Sequence, residues 1–381
     1  LNDRRIIPYG KQHITEEDIQ AVAATLRSDY LTQGPKVAEF ENALAEYTGA
    51  KYAVCFSNGT AALHGAYYSA GLGKNDKFIT TPMTFAATAN AGLYLGAVPI
   101  FCDVELDTGN IDASKLDDVS DSVKLIAPVH YAGLPCEMES IKAFADKKGA
   151  VIVEDACHAL GAEYKGTRIG SCAYSDMTVF SFHPVKHIAT GEGGAVLTNN
   201  KDYYNKLKLF RSHGITKENH ISTPHGGWYM EMQELGYNYR LTDIQCTLGI
   251  GQLKRSEANL ERRRNIASLY DKAFREIKDI ETPKYYIDRL HAYHLYPIKI
   301  NNRKAVYEAL HKKNIYAQVH YIPVYMHPYY RQNGYSELCL RNAEQFYSHE
   351  LSIPMFPSLT DEEVDYVIRN LIEAVRECAS E

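Results

Sequence analysis

The sequence contains no Cys-x-x-Cys pair. Its eight cysteines (Cys55, Cys102, Cys136, Cys157, Cys172, Cys246, Cys339 and Cys378) are scattered along the chain. Neither they nor the histidines fall at metal-ligand spacing, so no metal is expected and the cysteines read as reduced, mostly buried thiols. No apolar run approaches the length of a membrane span, and LNDRRIIPYG has no apolar signal core; the expectation is a cytoplasmic protein without a membrane partner. Positive charge is also in deficit. A net charge of −6 at pH 7 argues against a nucleic-acid partner, and any anionic ligand must be gripped locally. With no GxGxxG and no P-loop, dinucleotide and ATP binding have no motif behind them. Internal repeats and low-complexity stretches are absent as well.

What is present is an ordinary globular composition, 45% hydrophobic and 23% charged, on a chain of 381 residues. That length suits a large domain plus a smaller one, each with its own core. From Thr15 to Asn200 short apolar runs alternate with helical periodicity, the mark of an α/β domain with a mostly parallel sheet. Thr15 and Asp18 form a capping-box pattern that starts the first helix. KYAVCF reads as a strand, SNGT (57–60) as a turn and AALHGAYYSAGL as a helix closing on glycine. KFITTP, VPIFCDV, VKLIAPVHY, GAVIVEDA and MTVFSF bring the sheet to about six or seven strands. A helix is expected over 242–254, with Leu241, Ile244, Leu248 and Gly251 facing inward. The charged SEANLERRRNIASLYDKAF then begins a long bridging helix. The expected division is a large domain over 1–254 and a smaller α+β domain over 255–381, the latter built from HLYPIKI, NRKAVYEALHKKN, the strand YAQVHY and a last helix capped by Thr360 and Glu363.

Three stretches can carry chemistry. The turn Ser57–Thr60 joins a strand to a helix, so its amides and the Thr60 hydroxyl can face an anion at the positive helix end, or it is a plain connection. VIVEDACHALG (151–161) ends a strand on Glu154 and Asp155, where open parallel sheets place their ligands. Asp155 fits a helix N-cap or a partner for a protonated ring nitrogen. Lys186 follows 31 positions later in SFHPVKHIATGEGGAVLTNN. It is either one surface lysine among many or a partly desolvated amine able to form a Schiff base. Gly191, Gly193 and Gly194 would allow a flat ring to come close, or a tight return of the chain.

Taken together, these stretches resemble the DegT/DnrJ/EryC1/StrS family of pyridoxal-phosphate sugar aminotransferases. The resemblance runs in order through LTQGPKVAEFE, SNGTAAL, TPMTFAATANA, VEDACHALGAEYKG, SFHPVKHIATGEGGAVLTNN, RSHG, GYNYRLTDIQCTLGIGQL and VHYIPVY. It implies the aspartate-aminotransferase-like fold (fold type I) and pyridoxal 5'-phosphate as cofactor. By the same resemblance Lys186 is the Schiff-base lysine and proton shuttle, Asp155 pairs with the pyridine nitrogen, and Gly59, Thr60 and Ser181 bind the phosphate. Phe85 matches the aromatic stacked on the ring, and His158 a residue near its phenolic oxygen. Asn238 matches an asparagine reaching the phosphate from the neighbouring subunit, which implies a homodimer. His183, Arg240, His320 and Tyr321 are the candidates on the substrate side.

SFHPVK, RSHGITK and YAQVHYIPVY resemble the branch of the family serving pseudaminic acid synthesis. That implies transfer of an amino group from glutamate to C4 of a UDP-linked 4-keto-6-deoxy-N-acetyl sugar; sibling enzymes take other UDP- or dTDP-linked ketosugars. A dehydratase branch carries histidine where this chain has Lys186, which argues against that chemistry despite the adjacent His187. A non-catalytic cofactor or sugar-nucleotide binder would have no reason to keep Asp155, Ser181 and Lys186 together.

Overall fold

A computed structural model describes residues 6–119 and 122–378; the first five residues of the LNDRRIIPYG segment lie outside it, as do both ends of the expected domain ranges. The largest sheet has seven strands: β1 (Tyr52–Phe56), β2 (Lys77–Thr80), β3 (Val98–Phe101), β4 (Leu125–Ala127), β5 (Val151–Asp155), β6 (Met177–Ser181) and β7 (Gly194–Thr198). Their order across the sheet is β3-β2-β4-β5-β6-β7-β1. All run the same way except β7, which is antiparallel to both β6 and β1. The expected α/β class and mostly parallel sheet are what the chain forms. Strands β1, β5, β6 and β7 are buried on both faces, which is why they read as continuous apolar runs rather than alternating ones.

The register fixes where a ligand can sit. Gly194, the first residue of β7, pairs with Phe56 at the end of β1 and with Ser181 at the end of β6, and Asp155 at the end of β5 pairs with Val179. One reversed strand thus brings the ends of β1, β5 and β6 and the start of β7 to a single edge of the sheet.

A second core surrounds a three-stranded antiparallel sheet of β8 (Ile280–Glu281), β9 (Tyr296–Ile300) and β10 (Glu350–Ile353), with β9 in the centre. The helices Ser256–Phe274, Arg303–Lys312 and Asp361–Cys378 cover it, each with an apolar stripe turned inward. We propose residue 254 as the boundary between the two units. The N-terminal strand Ile7–Pro8 pairs in parallel with Ile315–Tyr316, and Ile7 is buried in the second core.

Several local expectations change. The expected turn Ser57–Thr60 is largely the first helical turn itself: Asn58 caps a helix over Gly59–Ser69. YAQVHY does not form a strand throughout; strand pairing stops at Tyr316, and only a bridge from Gln318 to Ser352 follows. The helix Asp243–Lys254 exists, but Ile244, Leu248 and Gly251 are only half-buried, whereas Asp243, Cys246, Thr247, Gly249, Gln252 and Leu253 are buried. The reason is that two helices, Glu16–Leu26 and Pro35–Thr48, pack against it, so no single apolar stripe marks its inner face. Gly249 admits Phe40, whose ring would lie 2.5 Å from any Cβ there. Asp243 is buried because its carboxylate accepts from the amides of Gly34 and Lys36, at 2.8 and 2.9 Å, and so satisfies the open start of the neighbouring helix.

Candidate active site

A cavity of about 980 Å³ opens at the shared strand edge. At one end the helix Gly59–Ser69 points its N-terminus into it. The Asn58 side chain accepts from the Ala61 amide at 2.8 Å, leaving the amides of Gly59 and Thr60 outside the capping bond. Ser181 stands against this turn so closely that a Cβ on Gly59 would come 2.9 Å from the Ser181 Cβ. Gly194 is tighter still: a Cβ there would lie 2.7 Å from the carbonyl carbon and oxygen of Asn58. Gly193 is hemmed in by Thr190 and Phe182, and Gly191 has a left-handed backbone with open space around it. Of the two uses open to the glycine cluster, the tight return of the chain is the one this packing supports: Gly193 and Gly194 let β7 lie against the turn.

Asp155 enters the cavity from the end of β5. It is not a helix N-cap. The Thr88 hydroxyl donates to its Oδ2 at 2.7 Å and the Cys157 amide to its Oδ1 at 3.2 Å, so the carboxylate is aimed rather than free to rotate. Thr84 holds the Thr88 hydroxyl at 2.7 Å in turn. The neighbouring Glu154 points to the opposite face of the strand, where it meets His130 at 2.7 Å and the hydroxyls of Ser175 and Thr178.

Lys186 lies on the loop after β6 and lines the same cavity, its amide tied to the His183 carbonyl at 2.8 Å. Burial pushes its amine below the usual lysine range; the Cys157 thiol and the Asp155 carboxylate pull the other way. The cavity thus favours a neutral, nucleophilic amine more than water does. Phe85 is 65% exposed on the cavity wall, a large aromatic face left open to a ligand.

The opposite wall is built of uncharged imidazoles and phenols. His158 accepts from or donates to the Tyr321 hydroxyl at 3.1 Å, and its ring lies 4.3 Å from that of His294. Burial, with the Lys186 charge nearby, drives His158 and His294 well below the ordinary histidine value. His187 is buried behind them with its Nε2 on the Ala292 carbonyl at 3.1 Å. Among the described residues no cluster of histidine, cysteine and acid groups is arranged to hold a metal ion.

Most of the residues named from sequence therefore meet here: Gly59, Thr60, Phe85, Asp155 and His158 from one part of the chain, and Ser181, His183, Lys186, His320 and Tyr321 from another. Asn238 and Arg240 do not line the cavity. Asn238 is exposed beside it, bridged to Ser212, on a segment whose Tyr239 does reach the wall. Sequence reasoning missed Thr88, although it lies within TPMTFAATANA one turn after Phe85, and it missed His294, the first residue of HLYPIKI. A single histidine ahead of a strand carries no signal until the fold stacks it on His158.

The fit to a pyridoxal phosphate is supported by three independent features of this cavity: the Gly59 and Thr60 amides left outside the Asn58 cap beside Ser181, the aimed carboxylate of Asp155 and the desolvated amine of Lys186. Comparison with known proteins agrees. A family described as the DegT/DnrJ/EryC1/StrS aminotransferase family matches residues 12–372. A UDP-4-amino-4,6-dideoxy-N-acetyl-beta-L-altrosamine transaminase of Campylobacter jejuni is 43% identical over 95% of this chain and 96% of its own length. The spore coat polysaccharide biosynthesis protein SpsC of Bacillus subtilis is 41% identical over 97% of this chain and 96% of its own. The solved structure of Helicobacter pylori PseC, described as an aminotransferase involved in the biosynthesis of pseudaminic acid, superposes with a TM-score of 0.92 at 35% identity, covering 98% of this chain and 100% of that one. Other solved neighbours are described in pyridoxal- and pyridoxamine-phosphate forms. With its fold, cavity and matched length all pointing the same way, the chain belongs to the pyridoxal-phosphate-dependent DegT/DnrJ/EryC1/StrS aminotransferase family.

Proposed function

We propose that this protein transfers an amino group from glutamate to C4 of a UDP-linked 4-keto-6-deoxy-N-acetyl sugar, in pseudaminic acid synthesis. The observation that carries the reading is the convergence of Lys186, Asp155 and the Asn58-capped helix start on one cavity. Bound there, pyridoxal phosphate supplies the electron sink that makes the substrate carbon acidic. Every other task falls to the chain. Gly59, Thr60 and Ser181 hold the phosphate at the helix N-terminus, where backbone N–H groups favour an anion. Asp155, fixed by Thr88, would offer its carboxylate to the ring nitrogen and hold a proton there. Phe85 stacks on the ring face. Lys186, favoured in its neutral form by burial, would hold the cofactor through its amine and would move a proton at the reacting carbon as general base and acid. His158, bonded to Tyr321, would serve the cofactor's phenolic oxygen, and the buried histidine wall would help exclude water. His183, His320 and Tyr321 meet the sugar.

We also propose a cytoplasmic homodimer. Asn238 is exposed outside its own cavity, and nearby Ile221, Trp228 and Leu235 are exposed as well. A second copy covering them would receive Asn238 at its phosphate, and Arg240 would serve the substrate from the same segment. Among the described residues no helix is long and apolar enough to cross a membrane.

The test is a panel of UDP- and dTDP-linked 4-keto sugars incubated with the holoenzyme and glutamate, with products identified by NMR. Amination of the UDP-linked N-acetyl sugar is expected. Turnover of a dTDP sugar alone would overturn the substrate while leaving the aminotransferase, and failure of any amino donor to change the cofactor spectrum would overturn both.

A further inference from the structure

Behind the substrate-side wall lies a carboxyl group that no step above uses. Glu350, the first residue of β10, is fully buried. Its Oε2 accepts from the His320 amide at 2.7 Å, and its Oε1 is 2.5 Å from the Ser352 hydroxyl. That hydroxyl in turn lies 2.9 Å from Nδ1 of His320. The strand alternation of β10 makes this possible: residues 350 and 352 share one face, so the carboxyl and the hydroxyl line up under the same ring. His320 lines the cavity, and with Nδ1 engaged by Ser352 its Nε2 is the nitrogen left for a ligand.

We propose that Glu350, acting through Ser352, sets which nitrogen of His320 carries the proton and thereby makes Nε2 a hydrogen-bond donor to an oxygen of the ketosugar. The inference rests on the sugar aminotransferase reading for the identity of that oxygen, a keto or acetamido carbonyl, but not for the relay itself. Oε2 must accept from the His320 N–H, so a protonated Glu350 carries its hydrogen on Oε1 and donates it to Ser352. Ser352 then donates to Nδ1, and the ring proton resides on Nε2. An ionised Glu350 reverses the two bonds through Ser352: Ser352 donates to Oε1, Nδ1–H donates to Ser352, and Nε2 becomes an acceptor that repels a carbonyl oxygen.

The surroundings favour the first arrangement near neutral pH. Burial raises the Glu350 carboxyl to about 8, against the lowering hydrogen bonds from Ser352, the His320 amide and the Tyr131 hydroxyl and the charge of the Arg303 guanidinium. Arg303, on the helix Arg303–Lys312, places Nη1 3.4 Å from the Glu350 carbonyl, not on its carboxyl. Tyr131 donates to the His320 carbonyl, and the Tyr321 phenol is held protonated by its own burial. On its cavity side His320 faces Tyr9, with ring centroids 5.0 Å apart, and the charge of Lys186. Burial lowers His320 to about 3, so the ring stays neutral across this range and has a tautomer to choose.

Nitrogen NMR of histidine-labelled holoenzyme reads the relay directly. In the wild type the His320 proton is expected on Nε2 at pH 7 and on Nδ1 at pH 9. In Glu350→Gln the amide NH2 takes the place of Oε1 and donates permanently, so the proton stays on Nε2 at both. Wild type and variant with the same tautomer at pH 9 would overturn the relay, whatever the enzyme's substrate. Should Glu350→Gln not fold, Ser352→Ala must abolish the pH-dependent swap and Ser352→Thr restore it; a swap that persists in Ser352→Ala is equally fatal. The KM for the UDP-linked 4-keto-6-deoxy-N-acetyl sugar is then measured at pH 7 and 9, beside the glutamate half-reaction read from the cofactor spectrum. The wild-type KM should rise about tenfold relative to that of Glu350→Gln at pH 9, with the glutamate half-reaction equal in the two proteins. A tautomer that swaps with no change in that KM ratio would overturn the sugar contact alone.

Discussion

Two buried carboxyl groups stand on either side of the cavity, and they are used in opposite ways. Asp155 ends a strand of the large sheet and opens on the cavity, aimed by a hydroxyl and an amide. Glu350 begins a strand of the small sheet, has no access to the cavity, and meets it only through Ser352 and His320. The lesson is that the partner and the path to a ligand, not burial alone, decide what an acid does. A carboxylate open to the cavity can serve a cationic ligand directly, whereas one sealed behind the wall is most stable neutral and can act only by passing a hydrogen bond forward.

The comparison can be broken from either side. The largest effect is expected at the residue facing Asp155: Lys186→Ala should lower kcat by about 10⁴-fold, and borohydride followed by mass spectrometry should find no cofactor fixed to the chain. Next comes Asp155→Asn, with kcat lower by roughly 10²–10³-fold as the charge complementary to the ring nitrogen is lost. Glu350→Gln at pH 7 should change kcat little, because the amide copies the neutral acid; an equal loss in both variants would erase the distinction between the two carboxyls.

Smaller effects sharpen it. Gly194→Ala forces a Cβ onto the Asn58 carbonyl, so cofactor affinity, followed by titration of the apoenzyme, should fall more than thermal stability does. Thr88→Val removes one hydrogen bond to a charged group and should cost about 1.5–3 kcal/mol of cofactor binding with the fold intact. The pH dependence of stability is the finest probe. Glu350 binds its proton more tightly folded than unfolded, so its contribution to stability is complete below the ordinary glutamate value and is lost as pH rises through about 8. The Tm of Glu350→Gln relative to wild type should therefore rise between pH 5 and pH 9.

The same asymmetry explains what was legible in the sequence. The large-sheet wall is made of contiguous segments, SNGT, VEDACH and SFHPVK, in which strand end, turn and functional residue are neighbours in the chain. Their grouping is legible in the sequence. The other wall draws on His294, His320, Glu350 and Ser352, which come together only through the pairing of β9 with β10 and the bridge from Gln318 to Ser352. No local pattern encodes that pairing: the expected strand YAQVHY holds Gln318, but nothing in it names Ser352 as the partner. The helix Asp243–Lys254 misled for a related reason: covered on two sides, it has no apolar stripe to betray its inner face. The family resemblance implies site roles for Asn238 and Arg240, Asn238 from a neighbouring subunit, and within one chain both lie outside the cavity.

The central claim is that Lys186 and Asp155 serve one cofactor in one cavity, and borohydride reduction of the glutamate-free holoenzyme tests it most directly. Peptide mapping should recover the pyridoxyl group on Lys186 and on no other lysine, with the cofactor's absorbance band lost in parallel. A label on any other lysine, or an undiminished label in Lys186→Ala, would contradict the account.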